Sequence, residues 1–279
     1  LVETGSLRKL DVLRANPRVV ATQTFSTVWG IGAATARKLY DRGGFRSLDQ
    51  LRVAAPEVLT PQQWLGLRHH EDLQKRIPRA EVTAIEARVR EAALAVCPGC
   101  TAQAVGSYRR GKADCGDIDV LITHPDGRSH HGLLRRVLAS LRASGLVTAD
   151  LTSADVESKF GRKASVGGLS GKDFGNESWM GICRLEPGLP HRRLDIKVYN
   201  TAVVPYALLY FTGSDHFNRS MRLFAKKKGF SLSDLGLVPA VRARGERVAV
   251  GTKSVAAKSE EDIFTALGLT YVSPEARDV

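Results

Sequence analysis

The chain has 279 residues, and 43% of them are apolar, so it can bury a core organised as two or three subdomains. Its 41 Lys and Arg residues exceed its 29 Asp and Glu residues, and the formal net charge of +12 indicates a polyanionic partner, either nucleic acid or a membrane surface. The sequence has no uninterrupted apolar run of about 18 residues, which excludes a membrane-spanning helix. It has no secretory signal and begins with Leu1 rather than Met, so we expect a fragment of a longer protein.

The 4 cysteines are too few for a disulfide scaffold in a chain of this size, so we expect a reducing, intracellular compartment. Cys97 and Cys100 have the spacing of half a zinc site. Since no second Cys-x-x-Cys pair or His pair completes such a site, we predict a turn that ends a helix.

The N-terminal quarter of the sequence predicts helices joined by a turn that contains glycine. Residues 5–14 predict one short helix, and residues 33–40 predict another. Gly30-Ile31-Gly32 directly precedes the second helix, which is typical of a helix-hairpin-helix. Gly30 and Gly32 leave room for a DNA backbone, and N–H groups at the start of the helix meet phosphate. An ordinary glycine turn between helices is the alternative that these residues leave open.

The rest of the chain changes from helices to strands and back to helices. Helices are predicted at 61–76 and 79–97, each with a proline at or near its start. Residues 155–178 are rich in Gly, Ser and Lys, and they predict a mobile loop. Two helices that break near 212–214 are predicted within 203–228. The remaining predictions are strands at 102–105, 117–123, 146–152, 180–185 and 192–199, an amphipathic helix at 131–144, and a mixed end that closes with a helix at 259–267.

The segment at 106–112, which reads GSYRRGK, and the Asp-x-Asp that follows it carry the clearest chemical signal. Successive side chains of a strand point to opposite faces, so Asp117 and Asp119 share one face while Ile118 and Val120 point to the core. Two adjacent carboxylates repel each other unless a cation lies between them. Their hard oxygen atoms suit Mg²⁺, so this pattern predicts a metal site.

Small residues and positive charges upstream of the two carboxylates predict a phosphate site. Gly106 and Ser107 offer backbone N–H groups to phosphate oxygens without a large side chain in the way. Arg109, Arg110 and Lys112 add positive charge where a triphosphate would lie. The alternative is a solvated hairpin with two surface aspartates, but a Gly-Ser turn at this distance upstream favours nucleotidyl transfer.

Three segments in this order resemble the family X DNA polymerases, and their lambda branch in particular. They read GSYRRGK at 106–112 with CGDIDVLI at 115–122, RRLDI at 192–196, and YFTGSDHFNRSMR at 210–222. The likeness extends from about Gly5 to the C-terminus. It implies an α/β (α+β) fold: helical fingers with a helix-hairpin-helix, a nucleotidyltransferase palm with a mixed or antiparallel sheet, and a small α+β thumb. The implied limits are 1–16 for the exit helix of a lyase domain, 17–75 for the fingers, 76–199 for the palm and 200–279 for the thumb.

The resemblance implies a catalytic role for three aspartates. Asp117 and Asp119 would bridge two Mg²⁺ ions, for which Mn²⁺ can substitute. Asp195 would bind the catalytic metal and steer the proton of the primer 3′-OH. Position alone favours a salt bridge from Asp195 to Arg192 or Arg193, whereas the order of the motifs favours the catalytic role.

The resemblance also implies ligands for a nucleotide, for DNA and for a monovalent cation. Arg219 and Arg222 would contact DNA from one helix face, which they share with Asn218. Backbone carbonyls of Ser26, Val28 and Ile31 would hold Na⁺ or K⁺. By their spacing alone, Tyr210 and Phe211 would be core residues, but in this family such residues approach the nucleotide sugar. The implied nucleotide-binding residues are Arg76, Gly106, Ser107, Arg110, Gly116, Asp117, Asp119, Tyr210, Phe211, Gly213 and Asn218.

The implied function is template-directed DNA synthesis that fills short gaps during repair. A template-independent terminal transferase or end-joining polymerase is an alternative, and a non-catalytic DNA-binding scaffold is an alternative of another class. The three carboxylates argue against the scaffold. The implied setting is a nuclear monomer that binds gapped or broken duplex DNA and a dNTP, without a membrane, and meets repair proteins through a missing N-terminal region. The lyase domain is expected to be absent, and the loop at 155–178 lies where related enzymes differ in their need for a template.

Overall fold

The computed structural model of the chain describes residues 8–152, 174–243, 246–249 and 253–278. The chain divides into two compact units, residues 1–75 and residues 76–279. The helices of the first unit are α1 (Arg8–Ala15), α2 (Pro17–Ser26), α3 (Ala33–Asp41), α4 (Leu48–Val58), α5 (Pro61–Arg68) and α6 (His70–Leu73).

Helices of the first unit begin at side chains that satisfy free backbone N–H groups. Asn16 accepts a hydrogen bond from the N–H of Arg18 at the start of α2, and Thr60 and Gln63 form a capping box at the start of α5. These caps fix where the helices begin. The fully buried core of the unit includes Phe25, Leu51 and Leu67.

Two of these helices, α2 and α4, are not indicated by the sequence pattern. Helix α2 has β-branched residues at positions 19, 20, 22 and 24, which have low helix propensity, and α4 contains Pro56. Ala21 and Phe25 of α2 and Leu51 and Ala55 of α4 are nevertheless buried in the core. Packing of these apolar faces therefore stabilises both helices against a weak local preference.

The second unit contains both strands and helices. Among the described residues, no helix of either unit is long and apolar enough to cross a membrane. The strands are β1 (Ile77–Pro78), β2 (Thr101–Ala104), β3 (Asp114–Cys115), β4 (Ile118–Thr123), β5 (Val147–Asp150), β6 (Glu177–Cys183), β7 (Arg192–Val198), β8 (Phe230–Ser233), β9 (Gly236–Ala243) and β10 (Glu246–Ala249). The helices are α7 (Arg79–Val96), α8 (Gly106–Arg109), α9 (Leu133–Ala143), α10 (Val204–Thr212), α11 (Asp215–Lys227) and α12 (Glu260–Leu267), with 3₁₀ turns at Thr201–Val203 and Pro274–Arg277.

The largest sheet has five strands in the order β2-β4-β7-β6-β5. Strands β4 and β7 are parallel, and the other neighbours are antiparallel. Strands β1 and β3 form a two-stranded sheet, and β10, β9 and β8 form a three-stranded sheet. The predicted α/β (α+β) class with a mixed sheet is therefore confirmed.

The two faces of the large sheet have different neighbours. On one face, Ile118 and Val120 of β4 and Ile196 of β7 are fully buried against apolar residues of α7 and α9. Because side chains alternate along a strand, Asp119 and Asp195 point to the opposite face. The prediction that Ile118 and Val120 face the core is confirmed.

Several predicted limits differ from the structure. The helix predicted at 61–76 is two helices, α5 and α6, and Arg76 lies beyond the end of α6. Of the loop predicted at 155–178, residues 155–173 lie outside the described residues. The predicted end of the loop is too late, because β6 begins at Glu177. Cys97 caps the end of α7 and Cys100 follows in the predicted turn, and both are buried free thiols.

Candidate active site

Asp119 and Asp195 are register partners on the parallel strands β4 and β7. Register partners point to the same face of a sheet, so their carboxylates lie side by side. Asp117, two residues before Asp119 and directly before β4, reaches the same place. One carboxylate oxygen from each aspartate lies within 4.8 Å of the others, and the described residues contain no second group of acidic, His or Cys side chains arranged in this way. The structure thus brings together the three carboxylates that the sequence predicts as metal ligands.

Burial raises the pKa of two of these carboxyl groups. For Asp119, burial is the larger cause, the charge of Asp195 adds to it, and the pKa rises to about 7. Burial also raises the pKa of Asp195, against the opposing charges of Arg193 and Lys197. Asp195 Oδ1 is buried and accepts no hydrogen bond from the described part of the chain. A buried carboxylate oxygen without a donor is unfavourable, and a cation would satisfy it, so this group of oxygen ligands fits a divalent metal ion.

Arg193 supplies positive charge to the carboxylates. Its guanidinium contacts Asp117, and its Nε lies 3.6 Å from Asp195 Oδ1, which is beyond a hydrogen bond. Arg192 instead makes a buried bidentate pair with Glu81 of α7, at 2.8 Å for both contacts. Of the two salt bridges considered for Asp195, the one with Arg193 is present as a long contact.

Lys197 is a second cation on the same face of β7, and unlike Arg193 it is buried. It lies two residues after Asp195, and its charge opposes the raised pKa of both Asp119 and Asp195. Its Nζ donates to Ser178 Oγ at 2.8 Å and lies 5.5 Å from the ring centre of Phe211. Lys197 therefore links the carboxylate group to the end of α10.

The one-turn helix α8 approaches the carboxylates through Gly106. Gly106 has a φ of +58°, and a Cβ atom at this position would lie 2.5 Å from Asp119 Oδ2. Only glycine satisfies both the left-handed backbone and this close approach. The N–H groups of Gly106 and Ser107 start the helix and have no intrahelical acceptor. Backbone donors are therefore placed beside the carboxylates.

Arg110 joins α8 to two distant parts of the second unit. Its Nη1 donates to the carbonyl oxygen of Thr212 at 2.6 Å, and its Nε donates to Asp278 Oδ1 at 3.0 Å. Lys112 contacts the other carboxylate oxygen of Asp278. A Cβ atom on Gly213 would lie 3.2 Å from Arg110 Nη1, so glycine keeps this approach open.

Arg76 makes an exposed ion pair with Asp114. Arg76 Nη2 donates to Asp114 Oδ1 at 2.7 Å, and the two side chains are 56% and 54% exposed. Gly116 lies close by, since a Cβ atom there would be 3.2 Å from Arg76 Nη1. Exposed pairs of this kind contribute little to stability, so Arg76 can exchange its partner for another anion at small cost.

Arg109 is turned toward the last helix rather than toward the carboxylates. Its two terminal nitrogens donate to Glu260 at 3.1 and 2.6 Å, and Arg277 Nη1 donates to the same carboxylate at 2.6 Å. Arg277 is fully buried, and Glu260 is 4% exposed. The sequence pattern placed Arg109 with the triphosphate charges, whereas in the structure it forms a buried ion-pair cluster with Glu260 and Arg277.

The predicted break near 212–214 is confirmed, since α10 ends at Thr212 and Ser214 caps α11. Tyr210 and Phe211 occupy the last turn of α10, are half-buried, and meet edge to face at 5.1 Å. Phe211 also makes an edge contact with Tyr199 at 5.5 Å. Both aromatic side chains are thus partly packed and partly open.

Of the α11 residues predicted to contact nucleotide or DNA, Asn218 and Arg222 lie beside Tyr210, whereas Arg219 is exposed to solvent. Asn218 Nδ2 donates to the carbonyl oxygen of Tyr210 at 2.7 Å, and the Arg222 guanidinium lies 5.8 Å from the Tyr210 ring centre. Arg219 instead pairs with Asp215 one turn earlier, and both side chains are exposed. Arg222 and Asn218 therefore adjoin the aromatic pair, while Arg219 lies at the surface.

The turn between α2 and α3 carries the residues predicted to bind DNA and a monovalent cation. The carbonyl oxygen of Gly30 accepts a hydrogen bond from Gln63 Nε2 at 2.9 Å, and a Cβ atom on Gly30 would lie 3.2 Å from Gln63 Cγ. Gly32 caps α3 and has nothing within 4 Å of its Cβ position. The open approach to the start of α3 is therefore at Gly32 rather than at Gly30. The carbonyl groups predicted to bind the cation lie along the same turn, at Ser26, Val28 and Ile31.

Sequence reasoning missed four residues that the structure places at or beside the site. Lys197 had a usable signal, because it follows Asp195 at strand spacing in an otherwise apolar pattern. Arg193 was considered only as an alternative partner of Asp195. Glu260 and Asp278 gave no signal, since their partners, Arg109 at the end of α8 and Arg110 directly after it, are far away in sequence.

Three models of protein families match successive parts of the chain. The fingers domain of DNA polymerase lambda matches residues 23–74, the DNA polymerase beta palm matches 76–201, and the DNA polymerase beta thumb matches 207–278. The predicted order of fingers, palm and thumb is thereby confirmed, although the exact limits stay predictions.

Curated relatives match the chain from end to end. It is 45% identical to DNA polymerase lambda of Rattus norvegicus and 37% identical to DNA polymerase lambda of Arabidopsis thaliana, each over 280 residues. It is 34% identical to the DNA-directed DNA/RNA polymerase mu of Homo sapiens over 294 residues. All of this chain is covered in each case, but only 45%, 50% and 56% of these relatives, so the chain spans about half of their length. The fingers, palm and thumb models match in this order along the chain, and polymerases match it over its whole length. The chain therefore belongs to the family X DNA polymerases that its motifs resemble.

Proposed function

We propose that this chain carries out template-directed DNA synthesis and fills short gaps in duplex DNA during repair. The reaction transfers a nucleotide from a dNTP to a primer 3′-OH and releases pyrophosphate. One observation carries the proposal: Asp117, Asp119 and Asp195 place carboxylate oxygens within 4.8 Å of one another, beside the backbone donors that begin at Gly106. Phosphoryl transfer depends on positioning and charge neutralisation, and this arrangement suits both.

Polymerases of this family use divalent metal ions, and the carboxylate group fits them. Asp117 and Asp119 would hold two Mg²⁺ ions, or Mn²⁺ in their place, and Asp195 would hold the ion nearest the primer. The bound ions supply a lowered pKa for the primer 3′-OH and neutralise charge on the triphosphate. Asp195 also steers the proton that leaves the primer 3′ oxygen.

We assign the dNTP to the residues in and around α8. Gly106 and Ser107 offer backbone N–H groups to the triphosphate, Arg110 offers its guanidinium, and Arg76 with Gly116 lies at the outer end. The exposed pair of Arg76 with Asp114 supports this role, because an anion replaces a weak partner. Tyr210, Phe211 and the backbone at Gly213 would border the nucleotide sugar, with Asn218 holding Tyr210 in place.

DNA would be held by two separate elements. Gly30 and Gly32 would meet a phosphate at the start of α3, with Na⁺ or K⁺ bound by the carbonyls of Ser26, Val28 and Ile31. The open surroundings of Gly32 support the first of these contacts. On α11, Arg222 would reach the minor groove, and exposed Arg219 would exchange Asp215 for the DNA backbone.

The wider setting is proposed on the same basis. We propose limits of 17–75 for the fingers, 76–199 for the palm and 200–279 for the thumb, with 1–16 leading in from a lyase-type domain. The division of the chain at Lys75 and Arg76 supports the first border. The protein would act as a monomer in the nucleus on gapped or broken duplexes, with repair proteins bound through other parts of the full protein.

Primer extension on gapped duplexes tests this function and separates it from its alternatives. Four duplexes that differ only in the templating base would each receive the four dNTPs singly. The proposal predicts addition of the complementary nucleotide alone, and none in Asp119→Asn. A terminal transferase extends an unpaired primer whatever the template. A scaffold binds the gapped duplex and extends nothing, and that result would overturn the proposal.

A further inference from the structure

We propose that Asp278 is a positioning residue of the nucleotide site: its carboxylate, which also contacts Lys112, orients Arg110 toward the triphosphate. The inference rests on the proposed role of Arg110 as a triphosphate ligand. Asp278 lies 168 positions after Arg110 in the sequence and belongs to the segment that follows the last 3₁₀ turn. None of the sequence motifs points to it.

A single carboxylate bridges the two basic side chains. Asp278 Oδ1 accepts a hydrogen bond from Arg110 Nε at 3.0 Å, and Oδ2 contacts Lys112 Nζ. The side chains of Arg110 and Asp278 are 14% and 23% exposed, so the pair is shielded from water more than an ordinary surface pair. The hydrogen bond from Lys112 and the one from Arg110 also hold the pKa of Asp278 below its usual range, so the carboxylate stays charged.

The geometry leaves one end of the Arg110 guanidinium for a ligand. Nε is held by Asp278, and Nη1 is held by the carbonyl oxygen of Thr212 at 2.6 Å. The remaining nitrogen, Nη2, makes no hydrogen bond to any residue that the structure describes. Because the guanidinium is planar and rigid, fixing two nitrogens fixes the direction of the third.

Asp278 is itself held in place by the residue before it. Arg277 is fully buried, pairs with Glu260 and lies 5.3 Å from the ring centre of Phe217. The carbonyl oxygen of Arg277 accepts a hydrogen bond from Ser214 Oγ at 2.8 Å. The backbone that carries Asp278 is therefore anchored in the packed core, so its carboxylate has a fixed position from which to orient Arg110.

A competing interpretation is that Asp278 occupies the place of a phosphate and must be expelled before a nucleotide binds. The two interpretations predict opposite effects. Loss of a positioning residue raises the KM and the Kd of the nucleotide, because Arg110 and Lys112 must then be ordered during binding. Loss of a competitor lowers both values. The free Nη2 of Arg110 favours positioning, since Asp278 does not occupy the whole guanidinium.

The test compares Asp278→Ala, Asp278→Asn and Asp278→Glu with the unaltered chain. Glu275→Ala is the matched control, because Glu275 is an exposed carboxylate of the 3₁₀ turn that directly precedes Asp278. The measurements are KM and kcat for gap filling, and the Kd of a dNTP with a non-cleavable α,β bridge on gapped DNA with a dideoxy-terminated primer. Inorganic tripolyphosphate, as a competitor of that dNTP, reports on the phosphate contacts alone. The melting temperature and the Kd for gapped DNA complete the comparison.

We expect Asp278→Ala to raise three values by about five- to tenfold: the KM of the dNTP, the Kd of the non-cleavable dNTP and the inhibition constant of tripolyphosphate. A rise of this size is the cost of ordering one or two flexible side chains. Asp278→Asn should show a smaller rise, Asp278→Glu should recover part of the affinity, and the Kd for DNA should stay unchanged. If Asp278→Ala unfolds, the isosteric Asp278→Asn decides. The inference would be overturned if a folded Asp278 variant showed an unchanged or lower KM and an unchanged or lower inhibition constant of tripolyphosphate. The same rise in Glu275→Ala would also overturn it. Absence of gap filling by the unaltered chain would instead overturn the proposed function.

Discussion

Asp119 of β4 and Asp195 of β7 are direct neighbours across a parallel pair of strands, and both are turned away from the face that packs on α7 and α9. Their proximity follows from strand register alone. Burial and mutual repulsion raise the pKa of Asp119 to about 7, so near neutral pH the two carboxylates are poorly accommodated without added positive charge.

Replacing Asp119 with Asn should stabilise the metal-free protein, and increasingly so as pH rises toward 7. The pKa of Asp119 is raised in the folded state to about 7, above an unfolded value near 3.9. Between these values the folded chain keeps a proton that the unfolded chain has lost, so the free energy of unfolding falls as pH rises and levels off above the folded pKa. The slope is at most about 1.4 kcal/mol per pH unit.

Urea unfolding of both proteins in EDTA, from about pH 4 to about pH 8, measures this difference. Saturating Mg²⁺ should flatten the pH dependence of the unaltered protein, because metal binding keeps the carboxylates ionised. A difference between the two proteins that stays constant over the whole range would contradict the raised pKa.

Gly106→Ala should abolish most nucleotide addition, and Gly145→Ala should not. Both glycines have positive φ angles, +58° and +75°, so each substitution strains the backbone by about 1 kcal/mol. Of these two positions, only Gly106 would bring the new Cβ atom against a carboxylate of the proposed metal site, 2.5 Å from Asp119 Oδ2, whereas nothing lies within 4 Å at Gly145. Displacement of a reacting group by about 1 Å costs roughly 100-fold in rate. Primer extension and urea unfolding of both variants test this, and equal activity in the two would contradict it.

Glu260→Ala should destabilise the second unit by about 3–5 kcal/mol, because it leaves Arg109 and Arg277 without their shared carboxylate in a buried place. Glu261→Ala is the control, since Glu261 is exposed and should change the free energy of unfolding by about 0.5 kcal/mol or less. Thermal and urea unfolding report both values. If Glu260→Ala were as stable as Glu261→Ala, the buried cluster would not hold the last helix.

Binding to gapped DNA should weaken steeply with salt, by about 0.9 log unit per log unit of salt for each phosphate neutralised. Arg219→Ala should lower that slope by about 0.9, which is the contribution of one phosphate contact. Arg142→Ala should leave it unchanged, because α9 packs on the sheet face opposite the carboxylates and Arg142 already pairs with Asp150. Fluorescence anisotropy over a salt series measures the slopes. A flat response would mean that the net charge of +12 is not directed at DNA.

Local sequence patterns were sufficient to predict the three carboxylates of the site, but they did not predict the residues around them. Asp117 and Asp119 follow strand alternation, which a sequence displays directly, and Asp195 stands alone in an apolar strand pattern. The pairing of β4 with β7 as parallel neighbours is a tertiary fact, and so is the buried pair of Arg192 with Glu81. Charged residues near one another in sequence do not reveal which of them will meet in space.

Helix prediction failed where packing overrides propensity. Helix α4 carries Pro56 and α2 carries several β-branched residues, yet each buries apolar side chains in the core of the first unit. The end of α6 at Leu73 also separates Arg76 from the helix to which the pattern assigned it. Contacts that close long loops, such as Asp278 with Arg110, have no local signature at all.

The most direct test of the central claim is single-turnover gap filling by Asp195→Asn with binding of the same gapped DNA measured in parallel. Asparagine keeps the shape of the side chain and removes the charge that a metal ion needs. Glu91→Gln is the matched control, because Glu91 is an exposed carboxylate of α7. We predict that Asp195→Asn loses nucleotide addition by about a thousandfold or more while its affinity for DNA stays within a few-fold of that of Glu91→Gln. Near-normal addition by Asp195→Asn would contradict the catalytic role of the carboxylate group.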